Sequence, residues 1–485
     1  MLFNYRVIVN ILGILLILNA AFMLMCIPIS IIYEEGDLLA LLMAAIVTGV
    51  FGATMFLTTR KVTNKELSKR DGYMVVTLGW LTMSFFGSLP YIFSGSIPGL
   101  TDAFFETISG FSTTGASILT DIESVHKGIL FWRSLTQWIG GMGIIVLTVA
   151  ILPILGIGGM QLFVAEAPGI SPDKLQPRIK ETAKRLWFIY LGITIAEFVL
   201  LFLGGMNLYD AVNHALTTVS TGGFSTKNAS IAFYDSPFIH YVITFFMFLG
   251  GTNFTMTYFA LHGQFNKVFN NEEFKYYLGT CLVAAISVAA VLFGLGIEDA
   301  EPALRAALFQ VVSIVTTTGY ITEDYTGWTS FVTVLFFILM FIGASAGSTA
   351  GGVKIVRHII LIKNSILELK RQLHPNAVIP VRFNGKALSR DITFNILAFI
   401  MIYIFIFAAG SIVMSILGLD FDTAMGSVAT CLGNIGPGIG HVGPVDNFSA
   451  VPDEGKWVLA FLMLLGRLEL FTVLMLFTPY FYKSN

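Results

Sequence analysis

Only three cysteines occur, Cys26, Cys281 and Cys431, none at CxxC spacing, and the seven histidines form no pair at metal-ligand spacing. A disulfide scaffold and a structural zinc site are thereby excluded. No strand, GxGxxG and helix unit appears, so nucleotide binding by this chain is not expected. No nucleophile, base or metal constellation has catalytic spacing, which argues against an intramembrane enzyme. Charge is scarce as well: 12% of the 485 residues are Asp, Glu, Lys or Arg, with a net charge of -2, and no nucleic-acid partner is expected. What fills the sequence instead is apolar. Hydrophobic residues make up 55% of it and the mean hydropathy is +0.79, values of a polytopic membrane protein.

Ten apolar runs are long enough to span a bilayer: 7–32, 38–58, 73–94, 129–152, 186–205, 238–262, 276–296, 329–362, 392–417 and 457–480. The first follows a lone Arg6, exceeds the apolar region of a signal peptide and lacks a small-x-small cleavage site, so it reads as a retained helix. Ten spans put both termini on one side. The connections after spans two, four, six and eight, with the two ends, hold 22 of the 28 Lys and Arg residues, which makes that face cytoplasmic. The opposite connections carry acidic residues such as Glu34, Glu35, Asp121, Glu123, Glu298 and Asp453, a field that concentrates cations at an entrance. Trp132, Trp187, Trp328 and Trp457 open spans and read as interfacial anchors.

The outer connections repeat one plan. "TDAFFETISGFSTTGAS" from Thr101, "LYDAVNHALTTVSTGGFST" from Leu208, "AEPALRAALFQVVSIVTTTGY" from Ala300 and "LDFDTAMGSVATCLGNIGPGIG" from Leu419 each hold an acidic residue, about ten weakly polar or apolar residues, then Thr or Asn, one residue, and Gly. A ten-residue helix is about 15 Å long, half the hydrocarbon core, so it dips in without crossing. The chain that follows must climb back out, and such backbone survives at membrane depth only where protein or water satisfies it. Each unit is therefore span, half-helix, re-entrant loop, span. Four units of like orientation close a central pathway.

Backbone carbonyls and Thr hydroxyls are hard oxygen donors, and four such loops can replace the water shell of a monovalent cation. Glycine allows the dihedrals that keep carbonyls on the axis, and each half-helix aims its partially negative end inward. No carboxylate stands at the twelve aligned positions, which argues against a divalent-cation filter. Ordinary helix packing by small residues is the competing reading of any single loop, and four aligned loops weigh against it.

These units resemble the Trk/Ktr/HKT superfamily of potassium transporters, over essentially the whole chain, and the two extra spans ahead of the first unit resemble its longer bacterial members. The resemblance implies an all-α polytopic membrane protein with four membrane-pore-membrane repeats, at 71–155, 186–263, 276–363 and 391–482, preceded by two transmembrane helices in 1–70. It implies a K+ filter at Ser112, Thr113, Thr114 and Gly115; Ser220, Thr221, Gly222 and Gly223; Thr316, Thr317, Thr318 and Gly319; and Asn434, Ile435 and Gly436. In the plant branch a serine at the first glycine goes with sodium transport, so Gly115 implies potassium. The fourth loop departs from the pattern, with Asn434 in place of threonine. A homodimer and a cytoplasmic nucleotide-binding regulatory ring, TrkA-like, are implied as partners beside membrane lipid. No bound cofactor is implied; K+ is the transported ion. The expectation is channel-like K+ uptake across the bacterial inner membrane, multi-pass with both termini cytoplasmic. The alternative is a secondary transporter coupling K+ to H+ or Na+, for which Glu197 and Glu469 are the obvious mid-span carboxylates.

Two further features lie on the inner side of the loops. "GASAGSTAGG", 343–352, superficially resembles a phosphate loop, but Val353 stands where a lysine is needed. Gly343, Gly347 and Gly351 are spaced by four, as in close helix packing, while ten consecutive small residues including Gly352 favour a broken helix. The resemblance implies a gate there. Arg467 lies near mid-membrane in the last span, aligned broadly with Gly140, Gly250 and Gly343 of the other units. It would narrow the pathway and oppose cations, or form an ion pair with Glu197 or Glu469.

Overall fold

The computed structural model describes residues 3–60, 68–146, 176–377 and 379–483. The end of the fourth apolar run, the first repeat's expected boundary at 155, and parts of the basic connections 60–70 and 174–185 lie outside the described residues. The described chain is helical apart from its loops and one antiparallel hairpin, Arg382–Phe383 against Lys386–Ala387.

Among the described residues six helical stretches are long and apolar enough to cross a membrane: Tyr5–Tyr33, Leu38–Thr59, Arg70–Ser94, Lys184–Leu203, Glu272–Gly294 and Arg390–Ile416. They are the two extra helices and the first span of every repeat. The second spans behave differently, and here the ten continuous spans of the hydropathy reading need correction. Pro237–Gly251 and Phe254–Leu261 meet at 113°, and Asp453–Arg467 and Phe471–Phe477 at 112°. In the third repeat Ser330–Leu339 gives way to a non-helical stretch before Ile355–Leu373. In the first, Lys127–Val146 runs to the edge of the described residues.

Between each pair of spans lies a short helix: Leu100–Phe111, Leu208–Val219, Ala300–Val315 and Phe421–Gly433. Each carries an acidic residue in its first turn, Asp102, Asp210, Glu301 and Asp422, complementing the positive end of the helix dipole at the outer side. Asn207 also caps its helix by accepting from Asp210 N (2.8 Å). These helices are almost wholly buried, so their polar residues must find partners inside the protein.

Two apolar cores enclose the short helices. One joins the N-terminal pair to repeats one and four through Leu41, Phe105, Trp132 and Leu464; the other joins repeats two and three through Met247, Phe309 and Tyr320. The extra helices cross tightly because Gly13 and Gly52 lie back to back: a β-carbon on either would sit within 2.9 Å of backbone of the other helix. Trp132 is no interfacial anchor. It is fully buried and donates its indole N–H to Gly87 O (2.9 Å), whereas Trp457 is 45% exposed.

Candidate functional site

The four short helices end in the same way. Thr113 N–H donates to Gly110 O and Thr114 N–H to Ser109 O, both at 2.9 Å. The pair recurs as Thr221 to Thr218 O (2.8 Å) with Gly222 to Thr217 O (2.9 Å), and as Thr317 to Ile314 O (3.0 Å) with Thr318 to Ser313 O (2.9 Å). It recurs last as Asn434 to Cys431 O (3.4 Å) with Ile435 to Thr430 O (3.0 Å). This is the Schellman arrangement, whose turning residue is left-handed. Accordingly φ is 52° at Thr113, 54° at Thr221, 57° at Thr317 and 55° at Asn434. A β-branched residue is strained in that region and asparagine is not. The departure in the fourth loop is thus the relaxed member of the set, and strain sits in the three threonines.

Two residues later the chain turns left-handed again, with φ of 82°, 75°, 78° and 106° at Gly115, Gly223, Gly319 and Gly436. A β-carbon on Gly115 would strike Gly222 O, one on Gly223 would strike Thr318 O, and one on Gly319 would strike Ile435 O. On Gly436 it would lie 2.9 Å from Thr114 O. Each glycine therefore abuts the carbonyl that precedes the next unit's glycine, and the fourth returns to the first. The loops form a closed ring in sequence order, with Thr114, Gly222, Thr318 and Ile435 presenting the abutting carbonyls. All four glycines line one vestibule of about 200 Å³. Within the ring, Ser112, Thr113, Thr114, Ser220, Thr221, Thr316, Thr318, Asn434 and Ile435 have no exposed surface and Thr317 has 1%.

The vestibule wall is not strongly acidic: Asp446 faces it beside Arg133 and Lys227. At the rim, hydrogen bonding from Asn228 holds the Asp121 carboxyl below its ordinary range, so it stays charged well into acid.

Polar side chains within the short helices brace the outgoing strands. Glu106 accepts from Ser117 Oγ and Ile118 N, both at 2.9 Å; His214 Nε2 lies 2.9 Å from Ser225 Oγ; Gln310 Nε2 donates to Glu323 O (3.0 Å). All three stand nine residues before their glycine, a regularity visible in the sequence but overlooked in reading it. Two residues of the first repeat's second span also escaped notice. Arg133 pairs with Glu106 (2.7 Å), donates to Ser225 O (3.0 Å) and covers the Phe224 ring at 3.5 Å. Gln137 donates to Gly222 O (2.6 Å) and accepts from Phe224 N (3.0 Å).

Directly beneath the ring lies 343–352, and it is not helical, so the spacing of Gly343, Gly347 and Gly351 does not serve helix packing. Gly343 N–H donates to Val353 O (2.8 Å) and Ile355 N–H to Ala344 O (3.1 Å), closing the segment into a loop. Its interior is held from several sides. Ser345 N–H donates to Gly251 O (3.0 Å), Ala346 N–H to Glu273 Oε1 (2.6 Å), and Thr349 Oγ1 to Val219 O (3.0 Å). Lys354 Nζ donates to Ala350 O, and Gly351 N–H donates to the Thr317 hydroxyl of the ring (2.7 Å). Gly347 has φ of 69° and Gly352 of 66°. Backbone at this depth is thus satisfied by protein, as a membrane interior requires.

Arg467 reaches the same loop. Its Nη1 donates to Thr349 O (2.7 Å) and its Nη2 to Gly140 O (3.0 Å). Neither carboxylate weighed as its partner pairs with it: Glu469 pairs with Arg357, and the fully buried Glu197 forms no ion pair among the described residues. The equivalences also shift by one residue. Gly140 packs on Phe111 O, Gly250 near Val219 O and Gly466 on Leu432 O, each four residues before its ring glycine. Gly466 is thereby the counterpart of Gly140 and Gly250, and Arg467 that of Gly141 and Gly251.

Residues 40–481 match TrkH, described as a cation transport protein. The chain belongs to the TrkH family. The Trk system potassium uptake protein TrkH of Salmonella typhimurium is 41% identical over 99% of this chain and all of its own. That of Vibrio parahaemolyticus is 39% identical over 99% and 100%, and the Escherichia coli protein TrkG 33% over 99% and 99%. The crystal structure of the potassium transporter TrkH from Vibrio parahaemolyticus superposes with a TM-score of 0.91 at 37% identity, covering 99% of this chain and all of that one. The fold is that of the family: four membrane-pore-membrane repeats with re-entrant loops around a central pathway, behind two additional helices.

Proposed function

We propose that this protein conducts K+ into the bacterial cell across the inner membrane, a reading supported by relatives named potassium uptake protein and potassium transporter. The observation that carries the reading is the closed ring of glycine-to-carbonyl contacts. Four carbonyls held at fixed separation by neighbouring glycines form an oxygen cage into which a dehydrating monovalent cation fits. The filter residues are Ser112 to Gly115, Ser220 to Gly223, Thr316 to Gly319, and Asn434 to Gly436, with repeats at 71–155, 186–263, 276–363 and 391–482. Loop 343–352 is the gate. Arg467 ties it to the first repeat and sets a positive charge below the ring. A negative-inside potential, worth about 2.3 kcal/mol per charge per 100 mV, drives inward flow without chemistry. Both termini are cytoplasmic, the working unit is a homodimer, and a TrkA-like nucleotide-binding ring docks on the basic inner face.

One observation favours the coupled-transporter reading. Glu197 is an acid fully buried in a first span with no ion-pair partner among the described residues, the kind of group a proton pathway uses. Proteoliposomes holding the purified chain separate selective conduction from its absence. Filter conduction gives K+ flux well above Na+ flux under equal gradients, and equal fluxes overturn it.

A further inference from the structure

The ring is fourfold in backbone but not in what surrounds it. Only one abutting carbonyl, Gly222 O, receives a side-chain N–H among the described residues, and the donor comes from another repeat. Gln137, in Lys127–Val146, donates to that carbonyl (2.6 Å) and accepts from Phe224 N (3.0 Å), spanning Gly223 from below and above. It has no exposed surface. A β-carbon on Gly222 would collide with this amide, so glycine at 222 makes room for it. One turn away, Arg133 grips the same strand at Ser225 O.

The other repeats have nothing comparable in these places. Counting back three residues from Gly250, Gly343 and Gly466, which stand with Gly140 at the same distance from their helix starts, reaches Met247, Met340 and Met463; counting back seven reaches Ile243, Phe336 and Leu459. All six are apolar and buried or half-buried. A buried amide in this position satisfies a donor and an acceptor that would otherwise be bare, and it fixes both ends of a three-residue segment.

We infer that Gln137 is a positioning residue of the ion filter, a side-chain amide that pins the second repeat's carbonyl and so sets K+ against Na+ discrimination at one quadrant. The inference rests on the ring being the K+ filter. A ring pinned on one side resists contraction around a smaller ion; unpinned, it closes on Na+ more readily. Replacing Gln137 by Met, the residue of the other three repeats, removes both contacts. Gln137→Glu keeps an acceptor for Phe224 N but loses the donor to Gly222 O.

The test is the reversal potential of the purified full-length chain in planar bilayers between KCl and NaCl, since this ratio does not depend on how many molecules are active. Gln137→Met is expected to lower the K+/Na+ permeability ratio by about fivefold, the factor of one hydrogen bond of ordinary net strength. Gln137→Glu, nearly isosteric and the variant relied on if Gln137→Met does not assemble, is expected to lower it as well. Gly319→Ala, measured alongside, reports on the ring itself. If Gly319→Ala lowers the ratio and the Gln137 variants leave it at the parent value, the positioning role is wrong and the filter stands. If none of the variants moves it, the filter assignment has failed.

Discussion

Alanine placed in turn at the four ring glycines should damage ion discrimination in a fixed order. Every substitution carries the cost of a side chain in the left-handed region, about 1–2 kcal/mol, and φ differs little among the first three positions. What differs is the oxygen ahead. At Gly436 the new methyl would lie 2.9 Å from Thr114 O, and ordinary contact at 3.4 Å requires a retreat of about half an ångström. At Gly223 and Gly319 the overlap with Thr318 O and Ile435 O is deepest, and the carbonyl must withdraw by more than about an ångström; Gly115 against Gly222 O is intermediate. If one ring oxygen contributes on the scale of a polar contact to a charge, roughly 1.5–3 kcal/mol, withdrawing it changes discrimination by roughly ten- to a hundredfold. The expected order of loss in K+/Na+ permeability ratio is Gly223 and Gly319, then Gly115, then Gly436. Dihedral strain alone would hurt the first three about equally and Gly436, with φ of 106°, the most. Equal losses, or the greatest loss at Gly436, would refute the ring of contacts.

Arg467→Ala leaves Thr349 O and Gly140 O without their donors and removes the charge below the ring, so K+ leak should rise; unchanged leak would leave Arg467 a structural tie. Shortening 343–352 by three residues should likewise hold the pathway open in flux assays, whereas a chain that fails to assemble would assign the loop to folding. Glu106→Ala strands the buried guanidinium of Arg133, a loss of about 3–5 kcal/mol that a large fall in thermal unfolding temperature would report. Thr221→Asn replaces a strained residue by one that suits φ of 54° and should raise that temperature, while Asn434→Thr should lower it by removing donation to Thr114 Oγ1 (3.0 Å) and Met463 O (2.9 Å).

The ring was legible because its signal is local and repeated. Thr or Asn, one residue, then Gly is what a Schellman ending followed by a second left-handed turn demands, and it recurs four times. The breaks in the second spans at Thr252 and Leu468 were not read from hydropathy, because each run stays apolar on average over its length even though Thr252 and Asn253 stand at one break and Arg467 and Glu469 at the other. Tertiary contacts make those bends: Gly251 is packed between Tyr277 and Thr316, and Glu469, with φ of 56°, is held by Arg357 from a helix more than a hundred residues away. Repeat three announced its break by composition alone, ten small residues in a row. Gln137 and Arg133 carry no signal in the sequence: the partners of Gln137, and the Ser225 carbonyl that Arg133 reaches, belong to another repeat, and Glu106, which pairs with Arg133, lies 27 residues before it. The partner of Arg467 was sought among carboxylates, whereas the structure supplies carbonyls, which no sequence pattern identifies.

The central claim is that K+ moves through this ring as a selective conductor without obligatory coupling, and one measurement addresses it. The reversal potential of the purified chain, recorded under a K+ gradient while Na+ and pH are varied independently, should follow the K+ equilibrium potential and stay there. A reversal potential that shifts in fixed proportion with the pH or Na+ gradient would contradict the account and turn attention to Glu197.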